Sequence, residues 1–459
     1  MKPVLAIAWM AVRSAVRSRV VGVLLGLLFL AIIGLPLTVK SDGTLAGEVQ
    51  VRLTYTLGAV LIILSIATWW AGCAAVSSEV QAKQIQLVLT KPVGRGAVWL
   101  GKWLGLVALN AALLAVSGAA IYGMIRWKLS PARLTEAQQR ELREQILVAR
   151  YSVAPQPLDV TAEARRIFAE QQKAGAVPTN QPVEQVVRAI EESLVRSAHT
   201  VPPGYKRTWV FELPAAPVGE QPVVLRYKFS SSEVTKGTLV RGLWLVGPVG
   251  KADRFELEQV NATDGAHAVA IPVSAFGGSR QVAVEYANII PLPIAVLFEP
   301  QGGIELQPYA GSFEGNLARA LMLAWVQLAF VGAVALAAGT LLSLPVAALV
   351  TGYVLLLVKA GDYVALLATE RGTFFSGAAQ GQPGESALDW VLRQVLWVES
   401  ALVQPLQGPN VLEYLTAGRA LEWSAVAGAF LIKVVIYSGL CAAVTTFLFN
   451  RREIALPME

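Results

Sequence analysis

From residue 320 to residue 358 the chain carries 39 consecutive uncharged side chains. A helix needs about 20 apolar residues to cross roughly 30 Å of hydrocarbon, so one straight helix of that length overshoots a bilayer. Gly339 and Pro345, near the middle, predict two spans joined by a very tight turn. Four more stretches have single-span length: 20–38, 53–78, 103–125 and 424–450, the last interrupted only by Lys433. The sequence therefore predicts a polytopic α-helical membrane protein with six transmembrane helices. Composition agrees, with 54% hydrophobic and 15% charged residues, where soluble domains carry about a quarter charged.

Six spans place both termini on one side. Lys2, Arg13, Arg17 and Arg19 precede the first span, Lys83, Lys91, Arg95 and Lys102 lie between the second and third, and Arg451 and Arg452 follow the sixth. The positive-inside rule assigns these segments to the cytoplasm, which makes the expected location the cytoplasmic membrane. Lys40, Arg52, Arg126, Lys128 and Arg319 on the other side keep the bias moderate. Topology also accounts for the net charge of +6, since no basic cluster with interleaved aromatics marks a nucleic-acid partner. Residues 3–19 read as an amphipathic helix in the headgroup region, with Val4, Leu5, Ile7, Trp9 and Val12 apolar and Arg13 and Arg17 one turn apart. The first apolar run exceeds a signal h-region and no small-x-small site follows before Lys40, so it is expected to be retained.

Between the third and fourth spans, residues 126–315 read as an inserted extracytoplasmic α+β domain. Its first part, 126–203, is a predicted helical stalk. Thr135 and Gln138 form a capping box that opens "TEAQQRELREQILVARY", and "PVEQVVRAIEESL" puts Val183, Val186, Val187, Ile190 and Leu194 at helical spacing. Over 204–315 the pattern changes to short runs separated by turn residues: "RTWVFEL", "VVLRYKF", "TLVRGLWLVG", "RFELEQV", "HAVAIPVS", "RQVAVEYAN" and "GGIELQPY". That regular spacing predicts a β-sandwich or jelly roll. A second external segment, 363–423, contains "ESALDWVLRQVLWVESALV", with Trp390 and Trp397 among its apolar residues. Two readings stay open for it: a helix lying on the outer leaflet or dipping back into it, or one packed between the other spans and the sandwich.

Motifs for chemistry are scarce. His199 and His267 are the only histidines, without partners for a triad or zinc site, and Cys73 and Cys441 both fall inside spans. "GAVWLGK", 96–102, has phosphate-loop spacing, but Trp103 stands where the magnesium-binding Ser or Thr belongs, and the stretch leads straight into an apolar span. No catalytic, cofactor or metal site is expected in this chain.

One charged stretch stands out: "SSEVQAKQIQLVLTKPVGRGAVWLGKWLG", 77–105, between the second and third apolar runs. Its order of Glu79, Lys83, Ile85, Leu87, Leu89, Lys91, Pro92, Val93, Arg95, Gly101 and Lys102 resembles the cytoplasmic loop of type-2 ABC exporter permeases. "LLSLPVAAL" at 341–349 and "FNRREIA" at 449–455 resemble the same group, as do six spans and the amphipathic N-terminus. One departure is the absence of a glycine in the loop helix, where Lys83 and Gln84 stand.

The resemblance covers the membrane portion and implies a permease subunit with no engine of its own. ATP and magnesium would be bound by a separate ABC-type ATPase, whose motion reaches the spans through the loop. A second permease copy would complete a two-fold pair, with the path between the halves and spans two and five near the seam. Spacing alone lets Glu79 and Lys83 pair one turn apart, and Pro92 and Gly94 end the short helix. Polar residues within the spans, Asn110, Gln327 and Lys433, are candidates for the translocation path or for bonds between neighbouring helices. A rival reading is a membrane-anchored binding or sensory protein whose sandwich recognises a glycan, peptide or protein; it needs neither the 79–102 pattern nor six spans.

Overall fold

The computed structural model describes residues 2–17, 19–39, 45–81, 94–130, 135–141, 147–174, 183–232, 238–300 without 252 and 264, 302–361, 363–365 and 387–451. The chain forms two compact units, one from Met1–Leu142 with Phe313–Glu459 and one from Arg143–Ser312. The first is helical. It contains α1 (Lys2–Arg17), α2 (Arg19–Thr38), α3 (Leu45–Gln81), α4 (Arg95–Lys128) and the short α5 (Glu136–Glu141). After the second unit come α8 (Phe313–Leu341), α9 (Leu344–Lys359), α10 (Ala387–Val403), α11 (Val411–Thr416) and α12 (Trp423–Arg451). The second unit holds α6 (Thr161–Lys173), α7 (Val183–Ala198) and the strands.

Among the described residues five helices, α2, α3, α4, α8 and α12, are long and apolar enough to cross a membrane. The 320–358 run does break into two helices, since α8 ends at Leu341 and α9 begins at Leu344 with Pro345 in its first turn. A proline there gives up only an N–H that a first turn leaves unbonded anyway. At 16 residues, however, α9 is shorter than the expected fifth span. Two helices contain π turns: Leu30–Gly34 in α2, just before Pro36, and Phe430–Tyr437 in α12.

Small residues set the helix packing, as expected where lipid removes the hydrophobic drive between helices. A Cβ on Gly339 would lie 2.2 Å from the Cys73 carbonyl oxygen, and one on Gly72 would lie 2.6 Å from Ala335 Cβ, so α3 and α8 approach backbone to backbone. The N-terminal helix lies along α4 in the same way. A Cβ on Gly101 would reach Ile7 Cβ at 2.7 Å, and one on Gly105 would reach Ala11 Cβ at 2.8 Å. This gives α1 a protein-facing side, with Val4, Ile7, Ala8 and Ala11, while Leu5, Trp9 and Val16 stay exposed and Trp9 is 67% accessible.

Among the described residues the second unit has three antiparallel sheets, a two-stranded one and two larger ones that share one core. The first of the larger ones orders β10 (Ile304–Gln307), β4 (Val223–Ser231), β9 (Val296–Phe298) and β2 (Thr200–Val201), with β7 (Ala266–Ile271) also on β4. The second orders β3 (Lys206–Glu212), β8 (Gln281–Asn288), β5 (Leu239–Pro248) and β6 (Phe255–Ala262). Alternate residues point inward, as period-two strands require. Tyr227 from the first sheet meets Trp244 from the second at 4.7 Å between rings, and Phe298 lies edge-on to Trp244 and Tyr286. Tyr286 also covers Gly242, where a Cβ would come within 2.2 Å of the ring.

The helix expected from Thr135 is cut short. Its capping box is present, with the Thr135 amide donating to Gln138 Oε1 at 3.0 Å, and helix is described over Glu136–Glu141, but by Val148 the chain is strand. Further on, β1 (Val148–Arg150) pairs with β11 (Tyr309–Ser312) instead of continuing a helix, because pairing and burial of all three β1 residues outweigh helical propensity.

Of the two readings for 363–423, packing against the helices describes the resolved contacts. Glu399 on α10 accepts from Tyr353 Oη on α9 at 3.0 Å, Tyr437 Oη on α12 donates to the Leu402 carbonyl at 2.8 Å, and Leu412 touches the Gly58 position on α3. Trp390 and Trp397 remain exposed on the outer side of α10.

Candidate functional site

The 77–105 stretch is described at its two ends. Lys83, Ile85, Leu87, Leu89, Lys91 and Pro92 lie outside the described residues. Glu79, Arg95, Gly101 and Lys102 are described, and each has a partner that spacing along the chain does not reveal.

Lys102, two turns into α4, reaches across to α3. Its Nζ donates to the Ala75 carbonyl at 2.5 Å and pairs with Glu79 Oε2 at 2.5 Å. The lysine side chain is 10% exposed and the carboxylate 34%, so the pair sits at the edge of the helix packing with one side toward water. A charge-assisted contact in that setting is stronger than one fully in solvent. Glu79 thus pairs across the hairpin with Lys102.

Arg95 opens α4 and turns the other way. Its guanidinium donates to the Phe449 carbonyl and lies over the Phe449 ring at 5.0 Å. Phe449 is in the last turn of α12, where backbone carbonyls lack helical partners and a cation is favoured. Gly101 has no ligand role here; it is the surface on which α1 rests.

Aromatic packing completes the junction. Trp99 stacks on Trp103 at 6.2 Å, Trp103 Nε1 donates to the Ala329 carbonyl at 2.9 Å, and Trp99 is buried with Val76, Ala333, Leu336 and Phe449. Four helices, α3, α4, α8 and α12, therefore meet around the facing ends of α3 and α4. The pattern of small residues and tryptophans was visible in the sequence, but without the contacts it assigned no partner.

The three polar candidates within the spans do not form one route. Asn110 is 3% exposed, and its Oδ1 accepts from Thr68 Oγ1 at 3.1 Å while its Nδ2 has no partner among the described residues. Gln327 is half-buried on α8. Lys433 is buried on α12 beside Gly408. No hydrogen bond joins these three side chains among the described residues. At the far end of α8, Asn316 and Arg319 hold the chain just before α12: Asn316 brackets it through the Arg419 carbonyl and the Leu421 amide, and Arg319 Nη1 donates to the Leu421 carbonyl at 2.7 Å.

In the β unit both histidines are absorbed by structure. His199 Nδ1 donates to the Val195 carbonyl at 2.8 Å. His267 Nε2 donates to the Ala262 carbonyl at 2.7 Å, which leaves Nδ1 to accept from Asn261, itself held by Tyr227 Oη. The most concentrated charge is at Glu285, whose carboxylate receives Lys206, Thr208 and Arg254 at 3.0, 3.1 and 2.8 Å. Burial pushes its pKa up, but these three donors outweigh it and hold the carboxyl below its ordinary value. Among the described residues no three His, Cys, Asp or Glu side chains gather as a metal site.

Compared with family models, with curated proteins and with solved structures, the chain matches none.

Proposed function

We propose that this chain is the membrane permease subunit of an ABC exporter, coupling ATP hydrolysis by a separate ATPase subunit to export across the cytoplasmic membrane or to mechanical work there. The observation that carries the reading is the locked junction at the base of 82–93. A segment that receives force from a partner must hand it to more than one helix without buckling. Lys102 ties α4 to α3 through Glu79 and Ala75, and Arg95 ties α4 to the end of α12. Displacement of the segment then tilts these helices together, and the close α3–α8 contact passes the tilt on. ATP and magnesium belong to the ATPase partner, a second permease copy completes the assembly, and the unit 143–312 works on the extracytoplasmic side.

The test is to purify the full chain from its native membranes in mild detergent and identify stoichiometric companions, comparing wild type with Glu79→Arg and a Leu87→Asp/Leu89→Asp double variant. A nucleotide-binding ATPase that accompanies wild type and is lost from the variants is the expected result. Wild type isolated alone, or with partners of another kind, overturns the permease reading and favours a membrane-anchored binding protein built on the β unit.

A further inference from the structure

Lys433 is 5% exposed, ten residues into α12 from Trp423, which places it about 15 Å along the helix axis from that end. It has no ion pair and no side-chain hydrogen bond among the described residues. An ammonium at that depth is costly unless something compensates its charge, and proteins ordinarily supply a carboxylate.

Its surroundings are arranged around the lysine. The residue lies in the π turn Phe430–Tyr437, and Ser438 Oγ caps the Lys433 carbonyl at 2.8 Å, so the widened turn is held by a specific bond. Turns of this kind recur at functional sites. Opposite stands the Gln404–Asn410 turn between α10 and α11, where the absence of a side chain at Gly408 brings backbone close to the ammonium: a Cβ there would lie 3.7 Å from Nζ. One turn further along α12, Tyr437 Oη donates to the Leu402 carbonyl at the end of α10, just before this turn. Next to Lys433 on α12, Leu431, Val435 and Ile436 are exposed and apolar.

We infer that Lys433, at the Gly408 turn, binds a phosphate-type anionic group that enters from the lipid-facing side of α12 on an apolar carrier. Among the described residues the ammonium has no counter-ion, and a phosphate oxyanion compensates it. Lysine suits this task as a compact point charge. Within the permease reading, and resting on it for this step alone, the cargo class is an anionic amphiphile.

Retained lipid is measured by native mass spectrometry on the full chain in detergent, without any ATPase partner. Wild type, Lys433→Arg and Lys433→Met are compared after incubation with phosphatidylglycerol, phosphatidylcholine or inorganic phosphate. One charge-assisted contact predicts roughly ten-fold or greater loss of phosphatidylglycerol affinity in Lys433→Met and retention in Lys433→Arg, with phosphatidylcholine unaffected. Because α1 carries its own basic residues, only the difference between variants counts. If inorganic phosphate competes for the Lys433-dependent binding, the site stands and its anion also comes free in solution. Equal phosphatidylglycerol binding by wild type and Lys433→Met, or loss in Lys433→Arg with an intact fold, overturns the inference. Either outcome leaves the capture of an ATPase unaffected, so the two readings fail separately.

Discussion

Gly339 gives the sharpest test of how the helical unit is assembled. A methyl group on it would stand 2.2 Å from the Cys73 carbonyl oxygen and 2.8 and 2.9 Å from Cys73 C and Cα, where ordinary contact begins at 3.4 Å. The obstacle is backbone in the middle of a helix and cannot swing aside. Gly339→Ala therefore forces α3 and α8 apart by roughly 1 Å, at an overpacking cost of about 1–3 kcal/mol with lost dispersion along the seam. Alanine returns up to ~1 kcal/mol of helix propensity, leaving a net loss of up to about 2 kcal/mol when that gain is full. Gly26 and Gly439 provide the opposite case. They too are helical, but a Cβ there meets nothing within 4 Å, so Gly26→Ala and Gly439→Ala should be neutral or stabilising by up to ~1 kcal/mol. Unfolding of the full chain in one detergent, followed by tryptophan fluorescence, compares them directly. If Gly339→Ala behaves like Gly26→Ala, the backbone-to-backbone contact between α3 and α8 is not what holds these helices.

Two further perturbations follow from named contacts. Lys102→Met removes both the Ala75 and the Glu79 contacts and should cost about 2–3 kcal/mol, while Glu79→Gln, which spares the bond to Ala75, should cost about 1. A double-mutant cycle should show coupling above about 0.5 kcal/mol, and strict additivity would refute the pair. Glu285 has a folded pKa below its unfolded value of about 4.3, so its stabilisation is present above that pH and is lost as pH falls through the folded value. Across about pH 3–6, the denaturant midpoint of wild type should therefore fall toward acid relative to that of Glu285→Gln; parallel curves would remove this carboxylate from the account.

Apolar run length located the helices because hydrocarbon thickness imposes it directly, and the Gly339–Pro345 break correctly divided the longest run. Strands with alternating burial, such as Val282, Val284 and Tyr286 on β8, were legible for the same kind of reason: period two is written in the sequence. Short strands were not. Val148–Arg150 and Thr200–Val201 are too brief to show a period and exist only because distant partners, Tyr309–Ser312 and Val296–Phe298, complete them. Charge partners across helices were not legible either. Helical spacing offers Glu79 only Lys83, which lies outside the described residues, while its partner Lys102 comes within reach only because α4 folds back onto α3. Gly101 read as part of a linear motif, but its neighbour is Ile7, more than ninety positions upstream.

The contacts of α8 explain how events at the two ends of the helical unit can belong to one mechanism. Near one end Leu336 and the Ala329 carbonyl are built into the junction beneath 82–93, and near the other Asn316 and Arg319 grip the chain at Arg419 and Leu421 that leads into α12. Between them α8 is largely buried, so it cannot bend into solvent when pushed. The tightly packed interior transmits displacement with little compression. A tilt started at the loop would therefore move the turn before α12 as well, and α12 is the helix that presents Lys433 to the Gly408 turn. The lever and the anion site need no direct contact to act together; they need only share α8 and α12, and in this fold they do.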